Sequence, residues 1–365
     1  MSRYLCLTAL SLWGASSALI ADSGGLPGEI AMEVFFGEAK GQKKEKSKEN
    51  NPSGRGCVAS NNIYITGDFI YWKAVEDDIE EQILIKAPNF LTQGVEGLVQ
   101  APTMHFSYNP GFEIGVGANM NYGDWDVFGN WTRMRNHNTT AHISDHPEFV
   151  VLSLSRGTGV PPVASQYKTH WKLNYDTFDF ELGRAFVLSK RVIMRPYVGA
   201  RAVWIYRSIE SHFFDLFPYE NPFMGGSSLI DPIDLKFRNE FWGLGPRLGI
   251  NSRWLLGNSG FGLMANLAGS FDAGPFKSIT NTTIKSSPAK KGEILIKRLF
   301  TTRSNVDVAV GLDYGKCFDW LYMYFSLGYD VSYWWNMLST VSYGNNAKKT
   351  DLSLRGLDFR ARLDF

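Results

Sequence analysis

From Ile63 onward, apolar residues recur at every second position, which is the period of a strand and not of a helix. The first segment puts Ile63, Ile65, Phe69 and Tyr71 on one face and Thr66 and Asp68 on the other. A Gly-rich segment follows at 112–120, and a third sets Trp125, Val127 and Trp131 on one side. Further strands are predicted at 171–183, 192–206, 236–250, 261–271, 306–314, 321–334 and 352–365.

The connections between these segments alternate in length. Long ones cover 75–110, 135–170, 207–235, 273–303 and 335–351, and short ones fall near Gly123, Ser189, Asn258 and Lys316. Short periplasmic turns alternating with long outer loops are the habit of outer-membrane barrels, and a soluble sandwich has no such rule. The expected fold is therefore an all-β transmembrane antiparallel barrel of about 10–14 strands, the upper count allowing for apolar runs such as 294–300 inside the long connections. The last segment is the most informative. Leu357, Phe359, Ala361, Leu363 and Phe365 form one face, and Asp358, Arg360, Arg362 and Asp364 form the other. A charge at mid-bilayer costs about 2–4 kcal/mol, so the apolar face meets lipid and the charged face meets the lumen. An alternating strand ending on an aromatic resembles the signal read by the barrel-assembly machinery, which makes Phe365 the candidate assembly residue.

Composition agrees. Aromatic residues make 14% of the chain and 36 residues are Gly, while a net charge of only +1 gives no field that would recruit nucleic acid. Beyond the first twenty residues no run is long and apolar enough for a spanning helix. Arg3, an apolar core over 4–13 and the small residues Gly14 to Ala18 read as a secretory signal peptide, cleaved after Ala18 or Ala21. Residues 22–61 then form an N-terminal extension with a linker in which lysines alternate with Glu45 and Glu49. Residues 62–365 are assigned to the barrel.

The stretch from Gly67 to Glu80, GDFIYWKAVEDDIE, resembles the first strand of the Legionella-type pore-forming major outer membrane protein family. The specific matches are Asp68-Phe69, Tyr71-Trp72 and the acidic run that follows. The resemblance spans fourteen residues, with the Gly-rich second strand and the terminal Phe compatible over the rest. It implies a β-barrel porin lodged in the outer membrane and does not identify the solute; the expected function is a passive channel for small hydrophilic solutes or ions, with a homo-oligomer left open. The basic linker before Cys57 has no counterpart in that pattern.

Lumen candidates are the charged sides of the strands: Asp68, Asp179, Glu181, Arg201, Asp307, Asp313, Asp330, Arg360 and Arg362. Each serves equally well as a pore-lining group or as a member of an ion pair that fills a narrow barrel. A structural or adhesive barrel whose loops bind host or envelope partners, without conduction, is the alternative to a pore. Nothing marks an enzyme: Gly260-Phe261-Gly262-Leu263-Met264-Ala265 fits a dinucleotide string, but period two continues where a helix would have to start. His137, His142 and His146 match no metal spacing and read as a polar loop, so no cofactor or metal is expected. After export, Cys57 and Cys317 remain, both on the periplasmic side, where disulfides persist. An intramolecular bridge is favoured over cross-links between copies and over two free thiols.

Overall fold

The computed structural model describes residues 62–76, 82–86, 99–100, 104–120, 123–143, 148–152, 163–217, 232–257, 259–284, 291–318, 321–341 and 347–365. Residues 1–61, with the expected signal peptide, linker and Cys57, lie outside that set. Ten strands close into an antiparallel barrel: β1 (Ile63–Glu76), β4 (Tyr108–Asn119), β5 (Trp125–Ile143), β7 (Val163–Arg184), β9 (Val192–Phe217), β10 (Ile233–Leu255), β11 (Phe261–Ile284), β12 (Lys291–Phe318), β13 (Leu321–Val341) and β14 (Ala347–Asp364). The short strands β2 (Gln82–Lys86), β3 (Val99–Gln100) and β6 (Glu148–Leu152) add onto the outer end of β7, and β8 (Phe186–Ser189) pairs with β9. Closure comes from β1 against β14, and the Phe365 N–H donates to the Ile63 carbonyl at 3.0 Å.

Each of the ten sequence segments corresponds to a barrel strand, with only Met120 and Phe365 falling one residue past a strand end, but on the outer side the strands run further than their apolar pattern. The run 294–300, allowed for as an extra strand, belongs to β12. The short turns and both barrel ends lie together, which makes that end periplasmic. Gly257 and Gly260 hold the β10–β11 turn with φ of +68° and +83°, a region where a side chain would be strained. The dinucleotide-like string therefore starts in a turn and continues as strand β11.

The pairing register fixes the tilt. One rung followed around the barrel runs from Trp242 through Trp204, Asp176, Arg133, Phe112, Phe69, Phe359, Leu327, Leu312 and Leu263 and returns to β10 at Trp254. That is a stagger of twelve residues over ten strands, which at about 3.3 Å per residue and about 4.8 Å between strands tilts them by about 40°. The outward Trp242 and Trp254 are thus about 30 Å apart along the axis, the separation of two aromatic girdles around an apolar band about 25 Å tall. Strand β9, with 26 residues, rises about 65 Å at the same tilt and so stands far above the membrane.

Strand β7 shows what this height does to the pattern. In the membrane half, Phe178 and Phe180 face out and are half exposed, while Thr177, Asp179 and Glu181 are buried in the lumen. Higher up, the two faces exchange chemistry: Trp171, Leu173 and Tyr175 are buried inside, and Lys168, His170 and Lys172 are on the outer wall. The strand stays regular while its surroundings change from hydrocarbon to water. Where water bathes the outside, the apolar set gains by turning inward.

Candidate functional site

The lumen is the site with the densest chemistry, and it has two storeys. The membrane storey is held by arginines, each reaching across to carboxylates on other strands. Arg201 on β9 makes a two-pronged contact with Asp179 on β7, at 2.6 and 2.7 Å, and reaches Asn305 and Asp307 on β12 at 2.6 and 2.9 Å. Arg247 on β10 joins the same Asp307 at 2.5 Å. Arg195 holds Asp126 and Glu181 at 2.5 and 2.8 Å, Arg253 holds Asp313 at 2.5 Å, and Arg360 holds Asp68 and Glu113 at 2.7 and 3.1 Å. Bidentate guanidinium–carboxylate contacts of this kind are strong and directional. A cavity of about 190 Å³ remains among them, lined by Tyr64, Glu113, Asp179, Arg195, Asp330 and Arg360 with their neighbours.

Above the cavity an apolar cluster crosses the lumen, bordered by buried polar groups such as Asn136, Thr169, Asn239 and Thr280. Ile70 and Trp72 of β1, Trp171 of β7, Phe213 of β9, Phe241 of β10, Trp334 of β13 and Leu352 of β14 belong to one buried cluster. Trp171, Trp334 and Phe213 are at most 2% exposed. Within this core sits one fully buried ion pair. Arg207 Nη2 lies 2.5 Å from Glu76 Oε1, and its Nε donates to Glu76 Oε2 at 3.0 Å. The Trp171 indole N–H and the Thr350 hydroxyl also donate to that carboxylate, at 2.9 and 3.1 Å, and Arg207 reaches Asn239 at 3.3 Å. The pair crosses the lumen from β1 to β9, with further partners on β7, β10 and β14. A buried pair tolerates desolvation only with such complete hydrogen bonding.

All nine lumen candidates from the sequence face inward. The structure brings Asp179, Arg201 and Asp307 into one network, Asp68 and Arg360 into another, and sets Asp313 on Arg253 and Glu181 on Arg195. Arg362 pairs with its own strand neighbour Asp364 at 2.6 Å and lies over the Tyr64 ring at 3.6 Å. Asp330 lines the cavity, and its Oδ1 has no hydrogen-bond partner among the described residues. Seven of the nine are neutralised in pairs across the barrel, where ten strands leave little more room than side chains fill. Arg195 escapes the sequence prediction although it shares the β9 parity of Arg201, and Arg247 and Arg253 escape it on β10, a strand that supplied no candidate. Glu76 and Arg207 escape it because both fall at the start of predicted connections.

Cys317, at the periplasmic end of β12, is disulfide-bonded. Cys57, its expected partner, lies outside the described residues. Of the three clustered histidines, His137 is an outer-wall residue of β5, and the surroundings of the other two lie outside the description. On the outer wall above the membrane, His212 Nδ1 lies 2.8 Å from Asp234 and His170 bonds Thr139 at 2.9 Å. Partial burial, together with Lys168 and His212 nearby, holds the His170 imidazole below its ordinary range.

The family described as the Legionella pneumophila major outer membrane protein precursor matches residues 57–365. No curated protein matches the chain in sequence. Among solved structures, the chain is similar to the outer membrane protease OmpT from Escherichia coli, at 10% identity and a TM-score of 0.40, covering 86% of this chain and 99% of that one. It is also similar to a major outer membrane protein from Thermus thermophilus, at 10% identity and a TM-score of 0.32, covering 82% and 99%. The outer membrane protein OprG from Pseudomonas aeruginosa follows at 12% identity and a TM-score of 0.26, covering 82% and 95%. At these identities the likeness concerns the barrel fold alone. The family puts the chain in the bacterial outer membrane.

Proposed function

We propose that this chain, which belongs to the Legionella pneumophila major outer membrane protein family, is a tall surface barrel that carries its loops well above the outer membrane and is closed to solutes in the state described. It performs no catalysis of its own, and its partners are envelope or surface components that meet the outer end. The observation that carries this reading is the apolar core across the outer lumen, with Trp171, Trp334 and Phe213 sealed and the Glu76–Arg207 pair at its centre. Water and small ions do not cross such a layer without exposing it.

A passive channel for small hydrophilic solutes or ions is the second reading, and the charged cavity in the membrane storey favours it. Conduction would then require the outer core to part, so the channel would be a gated one. Liposome swelling separates the two. Vesicles bearing the purified, folded protein are expected to swell in arabinose no faster than empty vesicles. Swelling at the rate given by an open porin would overturn the closed-barrel reading in favour of the channel.

A further inference from the structure

On the lipid-facing wall, where the apolar band ends on its outer side, two cations stand directly opposite each other. Lys73 of β1 pairs in register with Arg355 of β14. Neither has an ion-pair partner among the described residues, although like charges facing each other across two strands are destabilising. Arg133, two strands beyond Lys73, is 45% exposed and lies over the Trp131 ring at 5.7 Å. Its contact with Asp176 is long, 3.8 Å, because that carboxylate is held at 2.6 Å by Arg135. Tyr71 and Tyr108 stack at 5.5 Å between these cations, with Tyr108 in register with Lys73.

The surface below the cations is of the opposite kind. Phe69, Phe112, Leu357 and Phe359 lie lower on the outward faces of β1, β4 and β14 and are between 37% and 56% exposed. The patch is therefore amphiphilic along the membrane normal, with an apolar wall for acyl chains and three cations at headgroup height. From β14 to β5 it crosses three strand spacings, about 14 Å.

We propose that this patch is a binding site for a phosphorylated glycolipid of the outer leaflet, its phosphates taken by Lys73, Arg355 and Arg133 and its acyl chains lying on Phe69 and Phe359. The phosphate supplies the countercharge that the Lys73–Arg355 juxtaposition lacks among the described residues, and the guanidinium of Arg355 suits a phosphate in two-pronged fashion. The tyrosine hydroxyls sit where the headgroup sugars meet water, as amphipathic rings do at this depth. A surface cation in this zone attracts an anionic headgroup, and the site gains from having three.

Native mass spectrometry of the folded protein in detergent tests this, with bisphosphorylated lipid A and its dephosphorylated form as probes. Wild-type protein is expected to retain the bisphosphorylated lipid and to bind the dephosphorylated one at least about tenfold more weakly, the discrimination that charge-assisted phosphate contacts supply. Lys73→Gln with Arg355→Gln should cost about the same factor, while Lys172→Gln, higher on the outer wall, should leave binding unchanged. Heat-modifiable gel mobility verifies that each variant is folded, and removing the like-charge contact does not endanger folding. Equal retention of the two lipids, unchanged binding by the double variant, or inorganic phosphate bound as well as the lipid would each overturn the proposal.

Discussion

Arg207→Ala is expected to cost about 3–5 kcal/mol of folding stability, the loss seen when one partner of a buried ion pair is removed and the other stays behind. The Glu76 carboxylate would keep the Trp171 and Thr350 donors but lose its countercharge inside an apolar core. Replacing both partners, as Glu76→Leu with Arg207→Met, should restore most of the loss, because the pair then gives way to apolar side chains among apolar neighbours. Urea titration of the protein in lipid vesicles, read by tryptophan fluorescence, gives both numbers. A single variant within about 1 kcal/mol of wild type, the worth of an exposed pair, would mean that water reaches Glu76 and that the outer core is not sealed.

The exchange of inside and outside along each strand has an equally large consequence. Leu248→Lys, at an outward position of β10 inside the apolar band, is expected to cost about 2–4 kcal/mol. The same charge at Tyr206, an outward position of β9 above the girdle marked by Trp204, should cost close to nothing, since water already meets that wall. Paired urea titrations of the two variants make the comparison. Similar losses at the two sites would place the membrane boundary higher than the girdle and would contradict the two-storey barrel.

The same exchange decides how much of the barrel is legible in the sequence. Lipid-facing strands declare themselves through outward apolar residues, so Phe69, Phe359 and Leu357 disclose their strands, and the charged neighbours Asp68 and Arg360 are recognisable as lumen groups. On β7 the pattern holds through Phe178 and then reverses, with Trp171 and Tyr175 inside and Lys172 outside. A reading that expects one face to stay apolar ends the strand near that reversal and takes the remainder for a loop. That is why Glu76 and Arg207, the charges at the heart of the outer core, fall in predicted connections. Pairing is the other hidden quantity. Asp179 and Arg201 are recognisable as inward, yet only the register reveals that they meet, and that Asn305 and Asp307 on a distant strand complete the network.

Occlusion of the lumen is the claim on which the functional reading depends, and single-channel recording in planar bilayers reaches it most directly. Folded wild-type protein, its insertion verified by heat-modifiable mobility, is expected to give no stepwise conductance. Trp171→Ala with Phe213→Ala and Trp334→Ala, which hollows the core over the charged cavity, should produce open steps. Stable steps from the wild-type protein, of a size that the triple variant does not increase, would show an ion path already open through the lumen and would contradict the closed barrel.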